Sequence, residues 1–519
     1  AGVSRHRSFS LEDALGSQGV SVPHVDAQAH QPSRDSLRIC SRRIILGSLS
    51  QTMSRQMHQL LCLLVALSAA LTVHAETAPN SRNLILIIGD GFDDQHVTMG
   101  RNYLVGMSGK LILDTMPYRA SVQVETFSEQ GQPLYVADSA NTATSLATGG
   151  VTQIGRIATD IEDNDLPTIA ERALDSGFRV GLITTSSLTD ATPASFLAHV
   201  SARSCEGPEE VLGSTYYGIP QPACLDDARD NGGPGSIIEQ LVNSGAQVLL
   251  GGGTKFLEQT TIDEETVAAL AAGRGYRILG RDTDLESVPP DRPILGTFDQ
   301  ETLEVRWRGT GGRVGEETET SWLHQLSDYL GNTEEPEPMS CEPNTDYEGT
   351  PSLASMTDLA LRHLSRDNDR GLFLMIESAS IDKQSHERNP CGSIGEIEQL
   401  EESLALALSF AAQHPDTAIL VTADHAQAAQ ILPEPSLYST YPIPIYSPGL
   451  TARVATPEGG LMRINYATNN GFSEEHTGAN VPLFANDVAG PWLNPFLRQR
   501  EVHDAMSAFL FGTRELDTE

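Results

Sequence analysis

Six short stretches of this 519-residue chain carry side chains that could do chemistry together. Five hold metal-ligating types: IIGDGF with Asp90, TDATPA with Asp190 and Thr192, IESASIDKQSH with Glu377, Asp382 and His386, TADHA with Asp424 and His425, and EEHTG with His476. The sixth, YVADSANTATSLATGG, sets Ser139 directly after Asp138 in a run of small residues. Together the five supply enough carboxylate and imidazole for two borderline-soft metal ions and one hard one. A serine hydroxyl is a weak nucleophile until a base or a metal activates it. A serine beside such a ligand set points to metal-assisted phosphoryl transfer.

Each stretch also has a plainer reading. Asp138-Ser139 before a helix is a common cap. Asp382 and His386 are spaced i, i+4, so one helical turn can present both to one ion, but such pairs also decorate solvated helix faces. Asp190 and Thr192 are oxygen donors that suit magnesium, yet Thr192-Pro193 also reads as a turn into a helix. Arg203, after AHVSA, could grip phosphate with its planar fork or lie on the surface. The glycines at 251–253 lack the spacing of a P-loop and read as a strand terminus. Asp424-His425 is harder to dismiss, because adjacent polar groups at the end of an apolar run are costly to bury without partners.

Positioning these residues requires strands. The runs NLILIIGDG (83–91), VGLITTSS (180–187), AQVLLGGG (246–253), GLFLMIES (371–378) and TAILVTADH (417–425) are continuously apolar rather than alternating, as in strands buried on both faces. Helical patterns lie between them, as at 166–177 and 394–413. This rhythm predicts an α/β fold with a central, mostly parallel sheet flanked by helices on both faces. Asp90, Glu377 and Asp424 then fall just past strand cores, and Ser139 follows the short run PLYVA. In such sheets, sites form beyond the carboxyl ends of the strands, so residues nearly 300 positions apart can meet. Residues from about 205 to 350 and from 429 to 475 are richer in Gly, Pro and irregular segments, and read as insertions.

The formal net charge is −35, and lysine occurs only at Lys110, Lys255 and Lys383. So acidic a chain repels nucleic-acid phosphates, which argues against DNA or RNA binding. From Met53 to Ala75, the charged Arg55, the apolar run LLCLLVALSAALTV and Val73-His74-Ala75 read as a secretory signal peptide. Residues 1–52 then read as a non-native or upstream extension, and 76–519 as the catalytic domain. The expected location is periplasmic or extracellular, with no membrane span in the mature form. Beyond the signal, Cys205, Cys224, Cys341 and Cys391 remain, an even number compatible with two disulfides.

The motifs DSANTAT, DATPASFLAHVSAR, ESASIDKQSHERNPCG, TADHA and EEHTG resemble those of bacterial alkaline phosphatases, secreted zinc and magnesium phosphomonoesterases, over nearly all of 80–512. The resemblance implies that Ser139 forms a phosphoserine and that Arg203 clamps phosphate, with Asp138 orienting it and Lys383 reaching phosphate through water. It assigns Asp382, His386 and His476 to a zinc ion at the leaving-group oxygen. It assigns Asp90, Asp424 and His425 to a zinc ion that activates Ser139. It further implies that Asp90 bridges to a magnesium site completed by Thr192 and Glu377, with Asp190 nearby through water. Disulfides Cys205–Cys224 and Cys341–Cys391 are implied, as is a homodimer. Phosphate monoesters are the expected substrates and inorganic phosphate the product; a phosphodiesterase or another hydrolase of the same superfamily is the alternative. Close relatives often carry a histidine where Gln427 stands, so support of the leaving-group zinc differs here. The charge balance further predicts a halotolerant enzyme from a halophilic or marine bacterium, with cations held loosely on an acidic surface.

Overall fold

Leu84 to Ile88 are fully buried, and they form the body of β1 (Asn83–Gly89), a middle strand of a ten-stranded sheet. The computed structural model describes residues 81–216 and 218–512. The stretches read as an upstream extension and a signal peptide lie outside the described residues. In chain order the remaining strands of the sheet are β2 (Tyr118–Gln123), β3 (Arg179–Ser187), β4 (Val248–Gly252), β5 (Arg277–Leu279) and β6 (Ile294–Thr297). They are followed by β7 (Leu372–Ser378), β8 (Thr417–Thr422), β9 (Val481–Ala485) and β10 (Phe496–Arg498). Across the sheet the order is β10-β2-β9-β8-β1-β7-β3-β4-β6-β5. Only β9 is reversed, antiparallel to both β8 and β2.

Each fully buried Leu or Ile contributes about 1.5–3 kcal/mol relative to exposure, so the apolar runs of β1, β7 and β8 dominate the core. They are apolar on both faces because helices cover both. On one face α7 (Pro390–Gln413) packs on β1, β7 and β8, beside α1 (Asp94–Leu104) and α5 (Leu353–Ser365). On the other, α8 (Gln499–Phe511) packs on β1 together with α2 (Ser139–Thr148) and α3 (Ile169–Asp175).

Three strands at one side of the sheet, β4, β5 and β6, come from the 205–350 stretch, as does α4 (Ile237–Asn243), which precedes β4. Three strands from 429–475, Gln430–Leu432, Leu450–Ala455 and Leu461–Tyr466, join Glu316–Glu317 in a separate four-stranded sheet. The run before Ser139 departs from the expected strand. Pro133–Leu134 pairs only with Thr126–Phe127 in a small hairpin, and Tyr135 and Val136 are exposed. Two disulfides, Cys205–Cys224 and Cys341–Cys391, close loops with sequence separations of 19 and 50. On the chain-entropy account, loops of these sizes contribute about 3 and 4 kcal/mol. No described helix is long and apolar enough to cross a membrane.

Candidate active site

Register brings the ligands to one edge. Ile88 of β1 lies opposite Glu377 of β7 and opposite Thr422 of β8. Asp90 and Asp424, just beyond those strands, therefore emerge beside Glu377. All three are buried. The chain turns sharply at Gly91, whose φ of +66° favours glycine and whose N–H donates to Asp424 Oδ1 at 3.1 Å. A β-carbon there would stand 3.0 Å from those of Asp382 and Gln427, so the turn also lets the site close.

Asp382 and His386 lie on α6 (Ser380–His386), one turn apart, with His386 Nε2 3.2 Å from Asp382 Oδ2. His476 joins them from a distant segment: its Nε2 is 3.1 Å from that of His386 and 3.5 Å from Asp382 Oδ1. His425 Nε2 is 3.4 Å from both Asp90 Oδ1 and Asp424 Oδ2. Asp382 also falls within ligating range of Asp90 and His425, so it reaches both groups.

The hydrogen bonds fix which ring nitrogens are free. His386 Nδ1 bonds the Glu474 carbonyl, and His476 Nδ1 bonds the Ala137 carbonyl at 2.7 Å. Carbonyls only accept, so both Nδ1 atoms carry the proton and, in the neutral rings, both Nε2 lone pairs face each other. A cation between them would satisfy both lone pairs. Asp90 Oδ1 and Asp424 Oδ2 are likewise buried without hydrogen-bond partners. Burial and the charge of Asp424 push the Asp90 carboxyl well above the usual carboxylate range. Burial and Asp382 raise Asp424 to about 6, and burial and Asp190 raise Glu377 to about 7. A carboxylate crowd like this, with orphaned oxygens and imidazole lone pairs, fits divalent cations.

Ser139 is the first residue of α2 and is buried. Its Oγ lies 3.1 Å from His425 Nε2, in the middle of the cluster. Asp138 caps the helix, accepting from Asn141 N while Asn141 Oδ1 accepts from Asp138 N. The other Asp138 oxygen takes Arg203 Nη1 at 3.2 Å, so capping and site chemistry share one residue. Arg203 Nη2 bonds Asp190 Oδ1 at 2.8 Å, and Lys383 Nζ bonds Asp190 Oδ2. Burial opposes ionisation of Asp190, but the charges of Lys383 and Arg203 outweigh it and hold the carboxyl well below its usual range. The two cations are thus anchored beside Ser139. Thr184 and Ser186 donate to Glu377 Oε2 at 2.5 and 3.3 Å. The buried Thr192 hydroxyl lies beside Glu377 but makes no hydrogen bond of good geometry.

All the residues read from the sequence as site residues therefore converge. Gln427, singled out in the sequence, donates its Nε2 hydrogen to Asp382 Oδ1 at 2.7 Å, with its own Oε1 fixed by Ala428 N. Other supports carried no sequence signal. Glu474, buried and paired with Arg388 at 2.8 Å, holds the segment whose carbonyl orients His386. His96 bridges Asp93 and Ser385 beneath α6. These are ordinary polar residues until the fold supplies their partners.

A sequence profile for alkaline phosphatase matches residues 81–492. The chain belongs to the alkaline phosphatase family. It is 38% identical over 468 residues to the streptomycin-6-phosphate phosphatase of Streptomyces griseus, covering 87% of this chain and 94% of that protein. It is 38% identical over 415 residues to the alkaline phosphatase of Escherichia coli, covering 78% of this chain and 81% of that protein. The alkaline phosphatase of the Antarctic bacterium TAB5 shares the fold, with a TM-score of 0.59 at 19% identity, over 84% of this chain and 100% of that one. As an alkaline phosphatase-family enzyme, the chain is a phosphoric monoester hydrolase with a metal-binding site.

Proposed function

We propose that the enzyme hydrolyses phosphate monoesters outside the cytoplasm through a phosphoserine at Ser139. The observation that supports this best is the Ser139 hydroxyl, set against His425 within the orphaned ligand cluster. In this reading Asp90, Asp424 and His425 hold one zinc ion and Asp382, His386 and His476 the other. Asp90, Thr192 and Glu377 hold magnesium, with Asp190 close by. When bound, the ions supply Lewis-acid charge that activates the hydroxyl and neutralises the departing oxygen.

The chain's own groups do the rest. Arg203, braced by Asp138 and Asp190, offers its fork to two phosphate oxygens. Lys383 adds positive charge from the far side of Asp190. The N-terminus of α2 places backbone N–H groups and its dipole against the anion. Ser139 Oγ attacks phosphorus, the alcohol leaves opposite it, and water then cleaves the phosphoserine in a second in-line displacement. The two disulfides and the signal-like sequence support secretion, and the homodimer is carried only by the family resemblance.

The competing reading is a phosphodiesterase or another hydrolase of the same superfamily. With p-nitrophenyl phosphate and its bis-ester as paired substrates, monoester turnover is expected to exceed diester turnover by about 100-fold or more, since the second aryl group takes up a phosphate oxygen that the Arg203 fork would bind and so misplaces phosphorus for in-line attack. Comparable rates would sink the assignment.

The reading includes salt tolerance. From residue 76 onward the chain has 65 acidic and 27 basic residues. At ~0.1 M salt the Debye length is ~10 Å and neighbouring surface carboxylates still repel; at ~1 M it is ~3 Å. Thermal midpoint and activity are therefore expected to hold or rise between low salt and about 1–2 M sodium chloride. A steep fall in both would contradict this.

A further inference from the structure

A buried clamp grips the ligand cluster from outside it. Arg388 follows the end of α6, and Glu474 shortly precedes His476. Arg388 Nε donates to Glu474 Oε2 at 2.8 Å, and both residues are buried. The other Glu474 oxygen accepts from the backbone N–H and the hydroxyl of Thr468, so the carboxylate closes the loop 468–474 on itself. The main chains are joined as well. Glu474 N donates to the His386 carbonyl at 3.0 Å, while His386 Nδ1 donates to the Glu474 carbonyl. Gly315 N donates to the Arg388 carbonyl at 2.8 Å and fixes that turn from a third segment.

Arg388 holds a φ of +59°, in the left-handed region that non-glycine residues seldom occupy. Such a conformation persists only where its surroundings over-determine it. A buried ion pair adds little net stability, because desolvation of the two charges offsets their attraction. What this pair fixes is position. It ties the end of α6, which carries Asp382 and His386, to the segment that carries His476. His476 has anchors of its own: Nδ1 donates to the Ala137 carbonyl at 2.7 Å, and its backbone pairs with that of Gln427. His386 Nδ1 instead finds its partners, the Glu474 carbonyl and the Ser473 hydroxyl, on the clamped loop. Asp90, Asp424 and His425 take no hydrogen bond from that loop among the described residues.

We infer that Arg388 and Glu474 are positioning residues for the leaving-group zinc. The buried pair holds His386 so that its Nε2 faces that of His476, 3.1 Å away, and thereby sets how tightly Asp382, His386 and His476 retain their ion. Retention by Asp90, Asp424 and His425 does not depend on it. The inference rests on the two-zinc reading above. Neither residue touches substrate; both act through His386.

The test follows zinc leaving the metal-loaded full chain into a chromogenic chelator, beside thermal midpoints of the stripped protein. Arg388→Met breaks the pair. The double variant Arg388→Met with Glu474→Gln removes both charges and keeps an amide oxygen for Thr468, so it leaves no buried charge unpaired should the single variant fail to fold. His386→Ala identifies which zinc equivalent belongs to the leaving-group site. In both pair variants that equivalent is expected to leave at a chelator concentration about tenfold lower or less, while the other stays within about twofold of wild type. A pair that serves only the fold would lower the stripped protein's thermal midpoint and loosen both equivalents alike. That result, or release curves that match wild type, overturns the inference while wild-type zinc binding still upholds the parent reading. A wild type that retains no zinc and does not hydrolyse p-nitrophenyl phosphate overturns both.

Discussion

Ser139→Ala is expected to lower monoester turnover by about three to five orders of magnitude while leaving the fold in place. The hydroxyl is the group on the cluster side of α2 that reaches His425, at 3.1 Å, and its backbone is held independently of the side chain. Asp138 still caps the helix through Asn141, and Thr142 still donates to the Ser139 carbonyl. Removing one buried oxygen at the first position of a capped helix costs about 1 kcal/mol or less, so the thermal midpoint should move by only a few degrees. Arg203 remains braced between Asp138 and Asp190, so phosphate should still bind competitively in the variant. Steady-state kcat, product inhibition and a thermal scan together check this. Activity within tenfold of wild type would remove Ser139 from the mechanism.

Chelation is expected to have an effect of similar size. Stripping the metals should bring turnover to background, and zinc with magnesium should restore it, with elemental analysis following both steps. The stripped protein should also acquire a pH-dependent stability. Glu377 and Asp424 have pKa values raised by burial to about 7 and about 6, and Asp90 is raised well above its usual range. A carboxyl with a raised folded-state pKa binds its proton more tightly when folded. Stability of the stripped protein is therefore greatest near the ordinary carboxyl range of about 4, and falls as pH rises to about 7. The metal-loaded protein should lack this loss, because the cations neutralise the same oxygens. Thermal midpoints of both forms between pH 5 and 8 decide it; parallel curves would mean that the cluster does not hold metal. Gln427→His, which gives the Asp382 carboxylate a partner able to carry charge, should shift the chelator midpoint about 10-fold or more. An unmoved midpoint would show that Gln427 does not support the metal.

What the sequence determined by itself was local. The apolar runs within 83–91, 371–378 and 417–425 read as strands buried on both faces, and they form middle strands of the sheet. The i, i+4 spacing of Asp382 and His386 placed both on one turn, and α6 presents them so. The ligand types were equally legible, because carboxylates, imidazoles and a serine in those motifs are stated directly by the residues. Tertiary structure decided the rest. The reversal of β9 leaves no trace in Val481–Ala485, which are apolar and buried whichever way they run. PLYVA looked like a strand because it is apolar, but only Pro133–Leu134 pairs, with Thr126–Phe127 outside the main sheet, and its Tyr135 ends in solvent. Asp382 lies within reach of both ligand groups, Asp190 anchors Arg203 and Lys383 together, and Glu474 holds the carbonyl that orients His386. Each of these joins residues from different segments. Periodicity records which face of an element is buried, whereas such pairings depend on strand order and register, which only the folded chain fixes.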